Sequence, residues 1–375
     1  MGISKTRTPA GCLLKDAVRI DQDKILNPEY LTRSVDITPD APVLVILVAG
    51  KGTRFGTEPK CIQPVHGIPL ARHSIDAFRR FTDSPVIAIV GYRYEDVSGK
   101  LGDDIIRVLS DNPAGGTAFA AYEAFCIPDL IERNPLLVIT MGDRIVPSSI
   151  FRRLSVIHSE GAKEADLTFL TAWYEPPKNS GKGRVLRDET GKVIRIVEER
   201  DIVREENDLV RQSLLNITEG NCPLYTIRAA TLYKHLVNLN NNNAQSQYYL
   251  TDIIQSISET GGDIRTLSTY VSDHEYDLLT SDVTQPMDLA MLEGILASNV
   301  DLLLPEEREI EAVANLIMNN RPDGQIASIA RQLEELLAMI KKEKLPFDSD
   351  KPVGIGISGG RLRIAFMHPD MVRFY

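Results

Sequence analysis

Lys51, Arg54 and Lys60 stand close together in the run A-G-K-G-T-R-F-G-T-E-P-K, Ala49 to Lys60. Gly50 and Gly52 let the backbone turn tightly and come close to a bound group. The N–H groups freed by such a turn, with three cations beside them, form a site for several phosphate oxygens. Arg54 suits bidentate phosphate contacts, and the two lysines act as point charges. Two familiar phosphate loops are excluded by spacing. A P-loop needs G-x-x-x-x-G-K-[ST], which the chain lacks, and a dinucleotide fingerprint needs G-x-G-x-x-G, one residue shorter than G-K-G-T-R-F-G.

The elements that must hold this loop are legible in the periodicity. Val43–Val48 is a continuous apolar run, which suits a strand of a parallel sheet buried on both faces. Further strands are predicted at Pro85–Val90, Leu136–Thr140 and Leu167–Ala172. Helices are predicted at Ser74–Phe81 and Ser149–Ile157, where Ile75 and Phe78, then Ile150, Leu154 and Ile157, recur at helical spacing. Alternating strands and helices imply an α/β fold, a three-layer α/β/α arrangement around a mostly parallel mixed sheet. Ligands bind such sheets outside the carboxyl ends of the strands, where the loop lies.

Composition narrows the function classes. A formal net charge of −10 argues against a broad nucleic-acid surface, so the basic loop is a local feature. Cys12, Cys61, Cys126 and Cys222 contain no C-x-x-C pair and read as reduced thiols. No apolar run approaches the roughly 18 residues of a membrane span, and no secretory h-region opens the chain, so a cytoplasmic protein without a membrane partner is expected. A homo-oligomer is left open.

Residues 1–40 read as a loosely packed extension, 41–295 as the main domain, and 296–375 as a further segment. In that segment Ile326, Ile329, Leu333, Leu336 and Ile340 mark one amphipathic helix. Val353–Met367 alternates as a hairpin around Ser358-Gly359-Gly360. The hairpin is expected either to pair with the main sheet or to open a truncated further domain, since an isolated hairpin is marginal.

Leu47-Val48-Ala49-Gly50-Lys51-Gly52-Thr53-Arg54, followed by Pro59-Lys60, resembles the signature of the sugar-1-phosphate nucleotidyltransferases. Further motifs follow in that family's order: Gly116-Thr117-Ala118, Val138 to Asp143, Gly183-Arg184-Val185, Ile196 to Glu199, Glu219-Gly220-Asn221 and Asn241 to Ile254. The last string is similar to one in the N-acetylglucosamine-1-phosphate uridylyltransferases. The resemblance covers residues 43–295. It implies an enzyme of the nucleotide-diphospho-sugar transferase fold, with a nucleoside triphosphate and a sugar-1-phosphate as its substrates and Mg²⁺ as its metal.

By the same resemblance Arg54, Lys60 and Asp143 carry catalysis. Leu47, Ala49, Gly50, Lys51, Gly52, Thr53, Asp111, Asn112, Gly116 and Thr117 bind the nucleotide, and Gly183, Glu198 and Asn221 bind the sugar. Asp143 is the expected metal ligand, with Asp282 as the second. The bland alternatives are a turn cap for Asp143, a surface acid for Glu198 and a solvated loop carboxylate for Asp282. Tyr248 and Tyr249 are expected to pack rather than bind.

Three departures qualify the resemblance. Asp111 and Asn112 occupy the place of a uracil-reading glutamine, and an ionised carboxylate accepts hydrogen bonds but cannot donate. The Arg54-to-Lys60 loop is short, and no hexapeptide repeat supports an acetyltransferase. Val283 to Ala290, V-T-Q-P-M-D-L-A, is similar instead to the ending of cytidylyltransferases acting on polyol or alcohol phosphates. A non-catalytic nucleotide-sensing module is the remaining alternative.

Overall fold

The structure is a computed structural model describing residues 11–28, 37–52, 54–174 and 180–298, with the strand backbone of 353–358, 361–368 and 371–374. Thr53 and the helix expected over 326–340 lie outside the described residues. The chain divides into two units, residues 1–63 with 68–288, and residues 64–67 with 289–375.

The first unit is built on a nine-stranded sheet. Its strands are β1 (Val43–Val48), β2 (Val86–Val90), β3 (Ile106–Leu109), β4 (Leu136–Met141), β5 (Leu167–Trp173), β6 (Arg184–Arg187), β7 (Val193–Val197), β8 (Glu219–Arg228) and β9 (Ile264–Thr269). The order is β9-β5-β8-β4-β1-β2-β3, with β6 pairing β8 and β7 pairing β6. Along the main path only β8 runs against its neighbours, so the sheet is mixed but mostly parallel.

The apolar run of β1 is continuous because both faces are covered. Val43, Val45 and Leu47 enter one core with Ile87, Ile89, Phe119 and Phe125. Leu44, Ile46 and Val48 enter the other with Phe78, Phe151 and Leu154. Helices Leu70–Phe81 and Ser148–Ser159 supply the second core, and Thr117–Glu123 and Asp252–Glu259 supply the first. The expected α/β/α layering follows from this two-sided burial.

The loose attachment expected of the N-terminal extension does not hold for residues 11–28. Leu14 is fully buried, and Leu13 bridges Asn240 at one end of the segment. Toward its other end, Ile25 bridges Val108 on the edge strand β3, and Leu26 N–H donates to Arg107 O (2.9 Å). Asn27 closes the junction by donating to Ile105 O (2.8 Å) and accepting from Arg107 N (2.9 Å). The polar composition misleads because Lys24 and Asn27 are polar groups buried with partners, and such groups cost little once paired.

In the second unit β10 (Val353–Ser358) pairs antiparallel with β11 (Arg361–His368) as the expected hairpin, Ser358 opposite Arg361. A third strand, β12 (Met371–Phe374), adds to β11, so the hairpin joins a small sheet of its own rather than the main one. Four residues beyond Pro369 were too short a run to read as a strand.

His158 is fully buried, with Nδ1 at 3.1 Å from Thr168 Oγ1. Burial pushes its pKa down to about 4. The unfolded chain therefore binds the proton that the folded state refuses between about pH 6.5 and 4. Stability contributed by neutral His158 is present above that window and is lost as the pH falls through it, about 3 kcal/mol at most. Urea unfolding of His158→Gln should show a shallower loss between pH 7 and 4.5 than the native chain; an identical loss would exclude His158 as its source.

Candidate active site

The glycine-rich loop leaves β1 at its carboxyl end, and β4 ends beside it. Gly142 N–H donates to Leu47 O (3.0 Å). A Cβ on Gly142 would fall 2.2 Å from Val48 Cγ1 and 3.3 Å from Cys61 Cβ, so only glycine lets the end of β4 lie this close to β1. That closeness delivers Asp143 to Lys60. The Lys60 ammonium donates to the Asp143 carboxylate and to Val283 O (3.1 Å), with both charged side chains about four-fifths buried. Lys60 is fixed from behind as well: Gly52 sits at φ +58, and its Cβ position lies 3.4 Å from Lys60 Cδ. Lys51 lies over the Tyr92 ring at 5.4 Å, and Arg54 is exposed.

The second wall follows β3. Gly91 is wedged between Pro113 and Ala49, since its Cβ would fall 2.9 Å from Pro113 Cγ and 3.0 Å from Ala49 Cβ. Segment 111–116 therefore stands beside the loop at Ala49. Asp111 N–H donates to Glu123 Oε1 (2.9 Å), and its carboxylate pairs with Lys24. Asn112 Oδ1 accepts from Ala114 N (3.3 Å). Gly116, at φ +106, could carry no Cβ, which would meet Tyr248 O at 2.4 Å. Ala118 N–H donates to that same carbonyl (2.9 Å), and Leu250 N–H donates to Thr117 Oγ1 (2.9 Å). Buried Tyr248 and Tyr249 pack, as expected.

A third group brings Gly183, Glu198 and Asn221 together. Asn221 N–H donates to Gly183 O (2.9 Å), and a Cβ on Gly183 would lie 3.3 Å from both Glu198 carboxylate oxygens. Asn221 is buried and donates through Nδ2 to Tyr225 OH (2.8 Å), while its Oδ1 has no partner among the described residues. Glu198 accepts from Thr251 Oγ1 (3.0 Å), and burial, then Asp201, pushes its carboxyl above the ordinary range. Asp252 is raised to about 7 by burial and by the Glu198 and Asp201 charges. Such a half-desolvated acidic lining with an unmatched amide oxygen is suited to hydroxyl donors.

Asp282 does not stand open as a ligand. Its carboxylate takes buried Arg144 and Lys182 together, and these two charges pull its pKa far down against the effect of burial. Val283 N–H then donates to Asp143 O (3.2 Å), so this segment braces Asp143 through the backbone. The V-T-Q-P-M-D-L-A string has a structural use too. Asp288 accepts from Thr284 N, Thr284 Oγ1 and Gln285 N at 2.7–2.9 Å, capping the helix Pro286–Ser298.

Sequence reasoning missed Lys24, Glu123, Arg144, Lys182 and Asp252. Glu123 had a readable signal, because one acid inside T-A-F-A-A-Y-E-A-F requires a buried counterion. Lys182 and Arg144 had none, since their common partner lies at least 100 residues further along the chain.

Magnesium takes one or two carboxylates and fills its shell with water and phosphate oxygens. Asp143 at the strand end, with phosphate-binding cations around it, fits that requirement. Among the described residues no three His, Cys, Asp or Glu side chains converge on a self-sufficient metal cage. Nor, among them, is any helix long and apolar enough to cross a membrane.

The mostly parallel sheet thus carries this loop after its first strand and an aspartate after the neighbouring strand. Residues 44–178 match the model of the MobA-like NTP transferase domain. The bifunctional protein GlmU of Caldanaerobacter subterraneus is 34% identical over 225 residues, covering 59% of this chain and 46% of the relative. GlmU of Burkholderia mallei is 32% identical over 263 residues, covering 70% and 53%. The chain thus spans about half the length of the curated relatives it matches. A solved Bacillus anthracis chain assigned as a glucose-1-phosphate thymidylyltransferase superposes with a TM-score of 0.50 at 16% identity. It covers 68% of this chain and 95% of its own, a likeness of fold alone.

Gly142→Ala must push Val48 or β4 aside and should cost about 1–3 kcal/mol. Urea unfolding would show it as a lower midpoint at unchanged slope; an unchanged midpoint would contradict the tight β1–β4 contact.

Proposed function

We propose that the chain is a Mg²⁺-dependent nucleotidyltransferase that joins a nucleoside triphosphate to a sugar-1-phosphate, giving a nucleotide sugar and pyrophosphate. The observation that carries this reading is the contact of Lys60 with Asp143 across β1 and β4, a phosphate-binding cation against a metal-binding carboxylate. The family match over residues 44–178 and the GlmU relatives support the same class.

A phosphate oxygen of the sugar substrate attacks the α-phosphorus in line; the new P–O bond forms as the bond to the bridging β-phosphate oxygen breaks. No protein nucleophile is required, so the chain's work is positioning and charge neutralisation. Lys51, Arg54 and Lys60 hold the triphosphate, and Asp143 holds the metal. The metal held there would supply positive charge against the charge that develops on the phosphate oxygens. Arg144 and Lys182 keep Asp282 in place, and Val283 steadies the Asp143 backbone. Gly183, Glu198 and Asn221 form the sugar subsite, where Asn221 Oδ1 is buried and unpaired among the described residues.

The polyol-phosphate alternative loses its particular support, because the cytidylyltransferase-like ending is accounted for by the Asp288 helix cap. A sensing module without turnover would have no use for the Lys60–Asp143 pair.

Pyrophosphate release, measured with and without Mg²⁺ for each NTP against a set of sugar-1-phosphates, tests the reading; nucleotide binding with no turnover for any pair would end it. Lys60→Ala and Asp143→Ala should each lower turnover at least about 100-fold, near 2.7 kcal/mol of transition-state stabilisation. Near-native rates in both variants would show that the phosphate site lies elsewhere.

A further inference from the structure

We propose that Lys24 is a positioning residue of the wall that reads the nucleotide base, and that this wall favours bases carrying an exocyclic amino group over uracil and thymine. The inference rests on the nucleotidyltransferase reading and deepens it by naming the class of base.

Segment 111–116 follows β3 at the carboxyl edge of the sheet. The Gly91 wedge between Pro113 and Ala49 sets it beside the glycine-rich loop. Ligands bind such sheets outside the carboxyl ends of the strands, which puts this segment within reach of the base of a nucleotide whose phosphates that loop holds. Asp111 is the charged side chain there, about half exposed. It is not free to swing. Its N–H is bound to Glu123, and one carboxylate oxygen is taken by Lys24.

Lys24 comes from outside the expected domain and is only 6% exposed. Its ammonium also donates to Oε1 of fully buried Glu123 (3.1 Å), so it stands between two carboxylates. The adjoining Ile25–Val108 bridge and the two Asn27 hydrogen bonds fix Lys24 to the sheet edge. Asp111 is therefore held through one carboxylate oxygen, while its side chain stays about half exposed.

A carboxylate offers acceptors only. The amino groups of cytosine, adenine and guanine donate to such an acceptor. Uracil and thymine present a single N–H flanked by two carbonyl oxygens. A carboxylate that accepts from that N–H must also face the carbonyl lone pairs on either side, so a site built around an acceptor discriminates in favour of an exocyclic amino group.

Equilibrium binding of CTP, GTP, ATP, UTP and dTTP to the full chain tests the proposal, with tripolyphosphate as a base-free control. The tightest ligand should be an amino-bearing nucleotide, at least about tenfold tighter than UTP and dTTP. Lys24→Met made together with Glu123→Gln leaves no uncompensated buried charge, and should shrink that ratio to within about threefold without altering tripolyphosphate binding. Lys24→Arg should retain the ratio. Asp111→Asn acts from the exposed side and should shrink it too, which keeps the test decisive if the double variant fails to fold.

A preference for UTP or dTTP overturns the proposal and moves base reading to Asn112, as does an undiminished ratio in Asp111→Asn. If nucleotides bind with the expected ratio yet no sugar-1-phosphate is turned over, only the enzymatic reading falls. If neither nucleotide nor tripolyphosphate binds, both fall.

Discussion

The candidate site depends on how closely β1 and β4 approach at their carboxyl ends. Gly142 allows it, because no side chain fits between that residue and Val48. One step later the same strand places Asp143 against Lys60, and the loop from β1 returns to meet it. Two like-charged or bulky groups could not be brought together this way; opposite charges can, with Lys60 on the short turn that follows the loop and Asp143 just past the end of β4.

Charge is arranged in layers behind that contact. Asp282 is saturated by Arg144 and Lys182, so it acts as a brace and not as an open acid. Asp111 is similarly engaged by Lys24, while Glu198 and Asp252 are crowded by other acids and hold their protons more tightly. Neighbouring carboxylates thus have opposite tendencies, set by their partners rather than by residue type.

Much of this was legible in the sequence. The continuous run of β1 gave a doubly covered strand, and the strand ends after Val48, Val90 and Met141 were read to within a residue or so. Local patterns carry such information because burial on two faces leaves a period-free apolar run. The grouping of Gly183, Glu198 and Asn221 was legible through motif order, although the residues come from different strands. What stayed hidden was long-range pairing. The counterions of Asp282, and the insertion of Lys24 beneath Asp111, depend on partners far away in sequence. No window of local composition registers them. The cap formed by Asp288 shows that the V-T-Q-P-M-D-L-A string also carries a local structural device.

The segment 11–28 also bears on how the molecule comes together. Gly11 N–H reaches Asn241 Oδ1 across a separation of 230 residues, and Tyr248 OH reaches Cys12 O across 236. Contacts of that span close the largest loops and reward the chain only after the intervening strands are in place. Residues 11–28 therefore tie the two ends of a long stretch of chain together, and the wall around Asp111 depends on that closure.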